Sequence, residues 1–418
     1  MNLSSLAARP IHATRRIYRG YVVALLVFLS TGLSIGMTQY SFGEFAGPLQ
    51  TRYGWNQTQL NLSLAFSFVS GLLAPIIGYW MDRFGVRPVM FVSLFLIAIG
   101  FVLRPFMTEL WHWLALATLV YAGFPGATVL PAGKMVGLWF PNSMGRMTGI
   151  VVSGNNFGGM TMPPLAATII ALINWEWAYI IFAIIMFGLA AAVMVFLREK
   201  PRDVEVEMRR THRPRPSASA AAARAGMSVK RAVKTWAFWL TLIGLVAATF
   251  TYQGVLTQLR QHFGENGFAP AAATSAVTFI ATMGIASKIA FGRASERFSA
   301  RKMTVLSTAF QALGVSLMIL PFGGIPLIVA GIFIYSLGFG GLGALIVLVV
   351  QQTFGLREYA SLMGLYQFAQ IISIAGGPVL AGRVHDTTGS FDLAFATIVG
   401  IFIFGMITLF LARQPKWE

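Results

Sequence analysis

The sequence predicts an all-α polytopic membrane protein whose twelve transmembrane helices form two pseudo-symmetric six-helix bundles. Three observations predict it: apolar runs of membrane-crossing length recur along the chain, basic residues gather on one side of those runs, and the second half repeats the first. Only 11% of the 418 residues are charged, whereas 56% are hydrophobic. A soluble protein carries about 25% charged residues, so this chain lacks the material for a water-facing surface. Backbone polar groups must be paired within lipid, which makes each run a helix.

The runs lie near 20–43, 57–80, 88–106, 112–139, 145–171, 175–197, 235–259, 270–292, 302–322, 324–353, 360–383 and 391–412. Each is close to the roughly 20 residues that cross a bilayer. The first, inside RRIYRGYVVALLVFLSTG, has the basic flank of a signal peptide. It continues past residue 35 with no small-residue cleavage pattern, so it reads as span 1.

The formal net charge is +17. With the N-terminus placed in the cytoplasm, the inner segments hold 25 Lys and Arg, and the outer loops hold four: Arg52, Arg104, Arg260 and Arg383. Lys134 and Lys288 remain inside spans. That asymmetry follows the positive-inside rule and puts both termini in the cytoplasm. The excess charge therefore records topology, and a nucleic-acid partner is not expected. The lipid bilayer is the surrounding medium, a bacterial inner (cell) membrane the expected location, and a monomer the expected state. The absence of cysteine excludes disulfides and thiolate metal sites.

Residues 198–234 are basic and rich in Pro, Ser and Ala, as a cytoplasmic linker would be. The domains are thus a tail (1–19), a six-helix bundle (20–197), the linker (198–234), a second bundle (235–413) and a short tail (414–418). The bundles repeat: GYWMDRFGVR (78–87) returns as GRASERFSAR (292–301), both reading Gly-x-x-x-acid-Arg-Phe-x-x-Arg, at an offset of 214. Gln39 and Gln253, Tyr121 and Tyr335, and Phe140 and Phe354 share that offset, and Asn155 and Gln370 stand one further apart. Several matches at one period indicate internal duplication. Parallel six-helix repeats are a transporter architecture, with substrate held between the halves near the midplane.

The 78–87 stretch and its copy resemble the loop 2–3 signature of the major facilitator superfamily, and the resemblance runs over nearly the whole chain. TQYSFGEFAGPL in span 1 is similar to oxalate/formate antiporters, and GLWFPNSMGRMTGIVVSG at the span 4–5 turn is similar to that group and to monocarboxylate transporters. Drug/proton antiporters carry a Gly-Pro version of the span 5 segment, from which GGMTMPP departs.

Asp82 and Arg83 stand where span 2 leaves the membrane. A carboxylate there can pair with Arg87 or cap a helix N-terminus from the other half, and Glu296, Arg297 and Arg301 repeat the set. Such contacts would latch the cytoplasmic side; the alternative is that these charges only fix topology. The resemblance implies the latch. Gly154 and Gly158 frame Asn155 and Asn156 at a Gly-x-x-x-Gly spacing, which allows close helix packing or flexing.

All fourteen Asp and Glu lie in loops or at span ends. Cation and drug/proton carriers commonly need an acid inside the membrane, and this chain offers lysines instead. Lys288 sits one turn, or ~6 Å, deeper than Gly292. Its stem can snorkel to the interface, or its ammonium can meet an organic carboxylate; the small neighbours Ala286, Ser287 and Ala290 suit a cavity-lining helix. In oxalate/formate and monocarboxylate carriers an arginine occupies this place and holds the substrate carboxylate. Lysine keeps the charge and loses the bidentate fork. The acid that monocarboxylate carriers tend to have one turn earlier is Gly284 here, and the second cation of oxalate carriers corresponds to Gln370.

Three readings are open for Lys134: snorkelling, a second anion contact, or an interhelical pair. Tyr121 and Tyr335 offer phenols that need partners in a dry cavity, and Gln39–Tyr40 and Tyr252–Gln253 form a weaker pair on spans 1 and 7. These residues, with Asn155, are the expected substrate contacts. The expected substrate is a small carboxylate, most simply a monocarboxylate, accompanied by a proton or exchanged for a second anion. A drug or cation/proton exporter of the same superfamily is the competing reading. No metal cluster, Gly-Lys-Ser/Thr loop or nucleophile set points to an enzyme or a cofactor.

Overall fold

The computed structural model describes residues 18–199, 204–206, 208, 226–256, 258–265, 268, 270–320, 324–389 and 391–415. Most of the expected tail 1–19, most of the linker 198–234 and the last three residues lie outside the described residues. Among the described residues, every regular element is a helix. The first half contains α1 (Arg19–Tyr40), α2 (Gln57–Phe84), α3 (Val86–Phe106), α4 (Leu110–Trp139), α5 (Met144–Val152 with Gly154–Leu172) and α6 (Trp175–Phe196). The second half contains α7 (Trp236–Phe250, continued by Thr251–Val255 and Leu259–Glu265), α8 (Pro270–Ala294), α9 (Ala300–Met318), α10 (Gly324–Phe354), α11 (Tyr359–Thr388) and α12 (Phe391–Leu411). A short helix, Phe42–Tyr53, extends α1.

Among the described residues, nine segments are long and apolar enough to cross a membrane. The other three, α5, α7 and α9, complete the twelve and fall short for identifiable reasons. α5 breaks at Ser153 and carries two asparagines, α7 opens into a π turn at Thr251–Val255, and α9 begins with Arg301 and Lys302. A second π turn, Gly36–Tyr40, ends α1. Spans 1, 5 and 7, each read as a single apolar run, are therefore interrupted. The two π turns contain Gly36 and Gly254, and glycine is a poor helix former that makes the helical ladder easier to widen. Large apolar side chains such as Leu103, Phe196, Trp236 and Phe410 point outward, the arrangement a helix bundle takes when lipid is its solvent.

The halves meet along two helix pairs, α2 with α11 and α5 with α8. Glycine makes both crossings possible. A Cβ on Gly78 would strike the Ala360 carbonyl, one on Gly364 the Ala74 carbonyl, one on Gly145 the Gly292 carbonyl, and one on Gly149 the Lys288 carbonyl. These contacts gather at the end of the bundle that carries loops 2–3 and 8–9, so that end is closed. Gly154 and Gly158 pack on the backbone of Phe28 and Gly32 in α1; their spacing serves packing inside the first half.

Candidate substrate site and gate

Lys288 is 8% exposed. It follows Ser287, whose hydroxyl donates to the Leu337 carbonyl and fixes α8 against α10. One residue further round the helix, about 100°, Lys288 therefore turns to the junction of the halves. Its ammonium donates to Asn156 Oδ1 on α5, and Asn156 Nδ2 donates to the Ala281 carbonyl at 2.5 Å. The stem passes Gly343 of α10: a Cβ there would stand 3.3 Å from Lys288 Cε and 3.7 Å from the Tyr252 hydroxyl. Lys288, Asn156 and Tyr252 thus share one neighbourhood where α5, α7, α8 and α10 meet. Snorkelling toward lipid is not the arrangement found. Among the described residues, no carboxylate stands within ion-pair distance of Lys288. A buried ammonium with only a neutral acceptor is incompletely compensated.

The remaining polar residues are placed less uniformly. Tyr252 meets Phe339 edge-on at 5.3 Å, and Phe339 stacks on Tyr335 at 5.7 Å. The Tyr335 hydroxyl is engaged with Thr251 Oγ1 at 2.7 Å, so its phenol is satisfied inside its own half. Tyr121, its repeat mate, is buried near Gln39 and Arg104, and its hydroxyl makes no well-formed hydrogen bond. Tyr40 is exposed, with its ring over Gly159, and Gln39 is exposed beside it. The Gln253 side chain lies outside the described residues. Asn155 and Gln370 are half-buried, each with one amide atom lacking a partner, and neither bonds Lys288.

Lys134 does not join this neighbourhood. Its ammonium pairs with Asp82 Oδ1 at 2.6 Å and donates to the Met81 carbonyl at 3.2 Å, because the bend of α4 at Thr128 brings its second piece beside the end of α2. Asp82 also accepts from Ala360 N at 3.3 Å and from Ser361 N and Oγ at 2.7 Å each. It therefore caps α11, in the other half. Glu296 accepts from Arg146 N at 2.7 Å, capping the first turn of α5 in the reverse direction. The two acids occupy repeat-related positions.

The arginines of the two loops take no part in these caps. Arg87 donates to the Met194 carbonyl rather than to Asp82, while its amide and that of Val86 donate to Glu199. Gly85, immediately before Val86, has φ 98°, a left-handed value that glycine tolerates at no steric cost. Arg83 donates to Tyr79 Oη at 2.9 Å and Arg297 is exposed. Arg301 lines a small open pocket with Ser299, Gln352 and Arg413. A further tie crosses the halves where Gln351 Nε2 donates to the Gly133 carbonyl at 2.5 Å. Sequence reasoning missed Asn156 as the partner of Lys288, Gln351, and Asp82 as the partner of Lys134. For Lys134 itself the interhelical pair was one of the three open readings, and it is the one found. The doubled asparagine in a Gly-rich run was the one visible signal, and it pointed to its first member.

The chain matches the family model described as Major Facilitator Superfamily over residues 21–288 and 259–418. It is 23% identical over 391 residues to monocarboxylate transporter 10 of Danio rerio, covering 90% of this chain and 74% of that protein. It is 26% identical over 358 residues to the class C tetracycline resistance protein of Escherichia coli, covering 84% and 86%. The solved structure of the human organic anion transporter MFSD10 (TETRAN) superposes with a TM-score of 0.65 at 18% identity, over 94% of this chain and 99% of that one. This last likeness concerns the fold.

Proposed function

The chain belongs to the Major Facilitator Superfamily, and on that premise we propose that this multi-pass membrane transporter, which is not an enzyme, carries a small organic anion. A monocarboxylate is the simplest substrate. The single observation that carries this is Lys288: one buried ammonium between the halves, with a neutral amide as its partner and no described acid beside it. A carboxylate supplies the missing charge, and one positive charge suits one carboxylate better than two. Tyr252 stands beside the stem to orient the bound anion, with Tyr121, Tyr335, Gln370, Gln39, Tyr40, Gln253 and Asn155 forming a wider shell.

Alternating access moves the site between the two sides, by proton symport or anion exchange. Asp82 and Glu296 act as latches on the cytoplasmic side, each holding a helix of the opposite half by its N-terminal dipole; Arg83, Arg87, Arg297 and Arg301 flank them. The basic inner loops support cytoplasmic termini; a bacterial inner membrane, the six-helix bundles 20–197 and 235–413 and a monomeric state complete this reading.

A drug exporter is the second reading, favoured by the similarity to the tetracycline resistance protein. The lack of a described acid beside Lys288 counts against a cationic drug. Uptake of radiolabelled acetate, lactate, pyruvate and oxalate into proteoliposomes decides. Wild-type protein should take up at least one, and Lys288→Gln should lose it, because a charged substrate then enters a low-dielectric site without a counter-charge. Wild-type uptake by Lys288→Gln would sink the anion reading.

A further inference from the structure

We infer that Asn156 is a stand-in ligand, holding the place of the substrate carboxylate on Lys288 in the empty carrier and tying the two halves together until an anion replaces it. Asn156 belongs to α5 in the first half, and both of its partners belong to α8 in the second. Its amide is oriented at both ends. Nδ2 is bound to the Ala281 carbonyl, which turns Oδ1 to the Lys288 ammonium. Residue 284 is glycine, and a Cβ there would crowd the amide, standing 3.2 Å from Asn156 Nδ2.

Two consequences follow from this geometry. A carboxylate oxygen that takes the place of Asn156 Oδ1 on the Lys288 ammonium displaces the amide, so in that mode the amide competes with substrate. A charged acceptor outbids a neutral one for an ammonium, and the exchange is downhill. The amide also bridges the halves, so its displacement removes a contact across α5 and α8 at the moment the site fills. Binding and loosening are then one event, as a carrier requires if a ligand is to shift its conformational equilibrium. The Gly145–Gly292 and Gly149–Lys288 backbone contacts below it would keep the cytoplasmic end closed while the site end loosens.

This inference rests on the anion reading of Lys288, and its test separates the two. The chain has no native cysteine, so spin labels at Leu172→Cys and Ser275→Cys report the α5–α8 separation in nanodiscs directly. In protein free of carboxylate, Asn156→Ala should broaden that distance distribution relative to wild type. The same variant should bind the carboxylate identified by the uptake panel several-fold more tightly, about tenfold if a whole charged hydrogen bond is released. Asn156→Asp, nearly isosteric, should fold, keep the narrow distribution and lose carboxylate binding, since it neutralises Lys288 from within. Unchanged distances in Asn156→Ala, or wild-type affinity in Asn156→Asp, would overturn the inference. Failure of the anion reading registers elsewhere, as wild-type uptake by Lys288→Gln.

Discussion

Asp82 Oδ2 accepts two hydrogen bonds from Ser361, one from its amide and one from its hydroxyl, both at 2.7 Å. The two residues are 279 positions apart and belong to opposite halves. Glu296 and Arg146 repeat the relationship with the halves exchanged. An acid at the end of one helix thus closes the N-terminus of a helix across the interface, and this occurs twice, on the same side of the bundle.

Asp82→Asn keeps an acceptor and removes the charge. The helix N-terminus loses a favourable interaction of about 1 kcal/mol, and Lys134 loses its ion partner. Transport should slow several-fold while the substrate concentration for half-maximal uptake shifts by less than about threefold, because the contact lies away from Lys288. Initial uptake rates across a concentration series measure both. Unchanged turnover in normally inserted protein would reject the latch.

The Asp82–Lys134 pair itself is partly buried, with side-chain exposures of 6% and 19%. Removing one partner leaves a charge in low dielectric, which costs about 3–5 kcal/mol in a fully buried pair and less here because Lys134 keeps some solvent. Lys134→Met and Asp82→Asn should therefore each lower the melting temperature by more than the double variant's loss would suggest if they acted independently. Thermal unfolding of the four proteins in detergent gives the coupling term; strict additivity would mean the pair contributes nothing.

The sequence carried the helices well because membrane insertion sums hydrophobicity over about 20 residues and single substitutions barely move that sum. The span expected at 324–353 is the helix Gly324–Phe354. It did not carry the π turns at Gly36–Tyr40 and Thr251–Val255, since one extra residue in a helical turn leaves composition untouched. Nor did it separate Asn156 from Asn155. Neighbours on a helix differ by about 100° in direction, and the break at Ser153 resets the phase from which a helical face is counted. The partner of Lys134 was illegible for another reason: a contact between α2 and α4 depends on how two helices dock, and neither carries that alone.

Tyr335→Phe illustrates the difference between a polar residue near a site and one in it. Its hydroxyl bonds Thr251 on α7, so the substitution removes one buried neutral hydrogen bond and leaves a Thr251 hydroxyl that can turn to its own helix. Stability should fall by about 1 kcal/mol, read as a small drop in melting temperature. Carboxylate affinity should stay within about twofold. A tenfold loss of affinity with normal stability would show that the phenol reorients to the substrate instead.

Lys288→Arg tests charge against shape at the site. Both side chains place one positive charge at the junction of α5, α8 and α10, so uptake of a carboxylate should persist where Lys288→Gln abolishes it. The guanidinium is larger and planar, presenting a rigid fork that binds two carboxylate oxygens at once. It must fit beside Asn156 and the open face of Gly343, where a single added carbon would already stand 3.3 Å from the lysine stem. Small, flat anions should gain most from the fork and bulky ones lose most from the reduced space. In competition assays oxalate and acetate should therefore displace labelled substrate more effectively from Lys288→Arg than from wild type, and branched carboxylates less effectively. An unchanged rank order would mean that the ammonium acts as a point charge at long range and that the walls around it, rather than the cation, set selectivity.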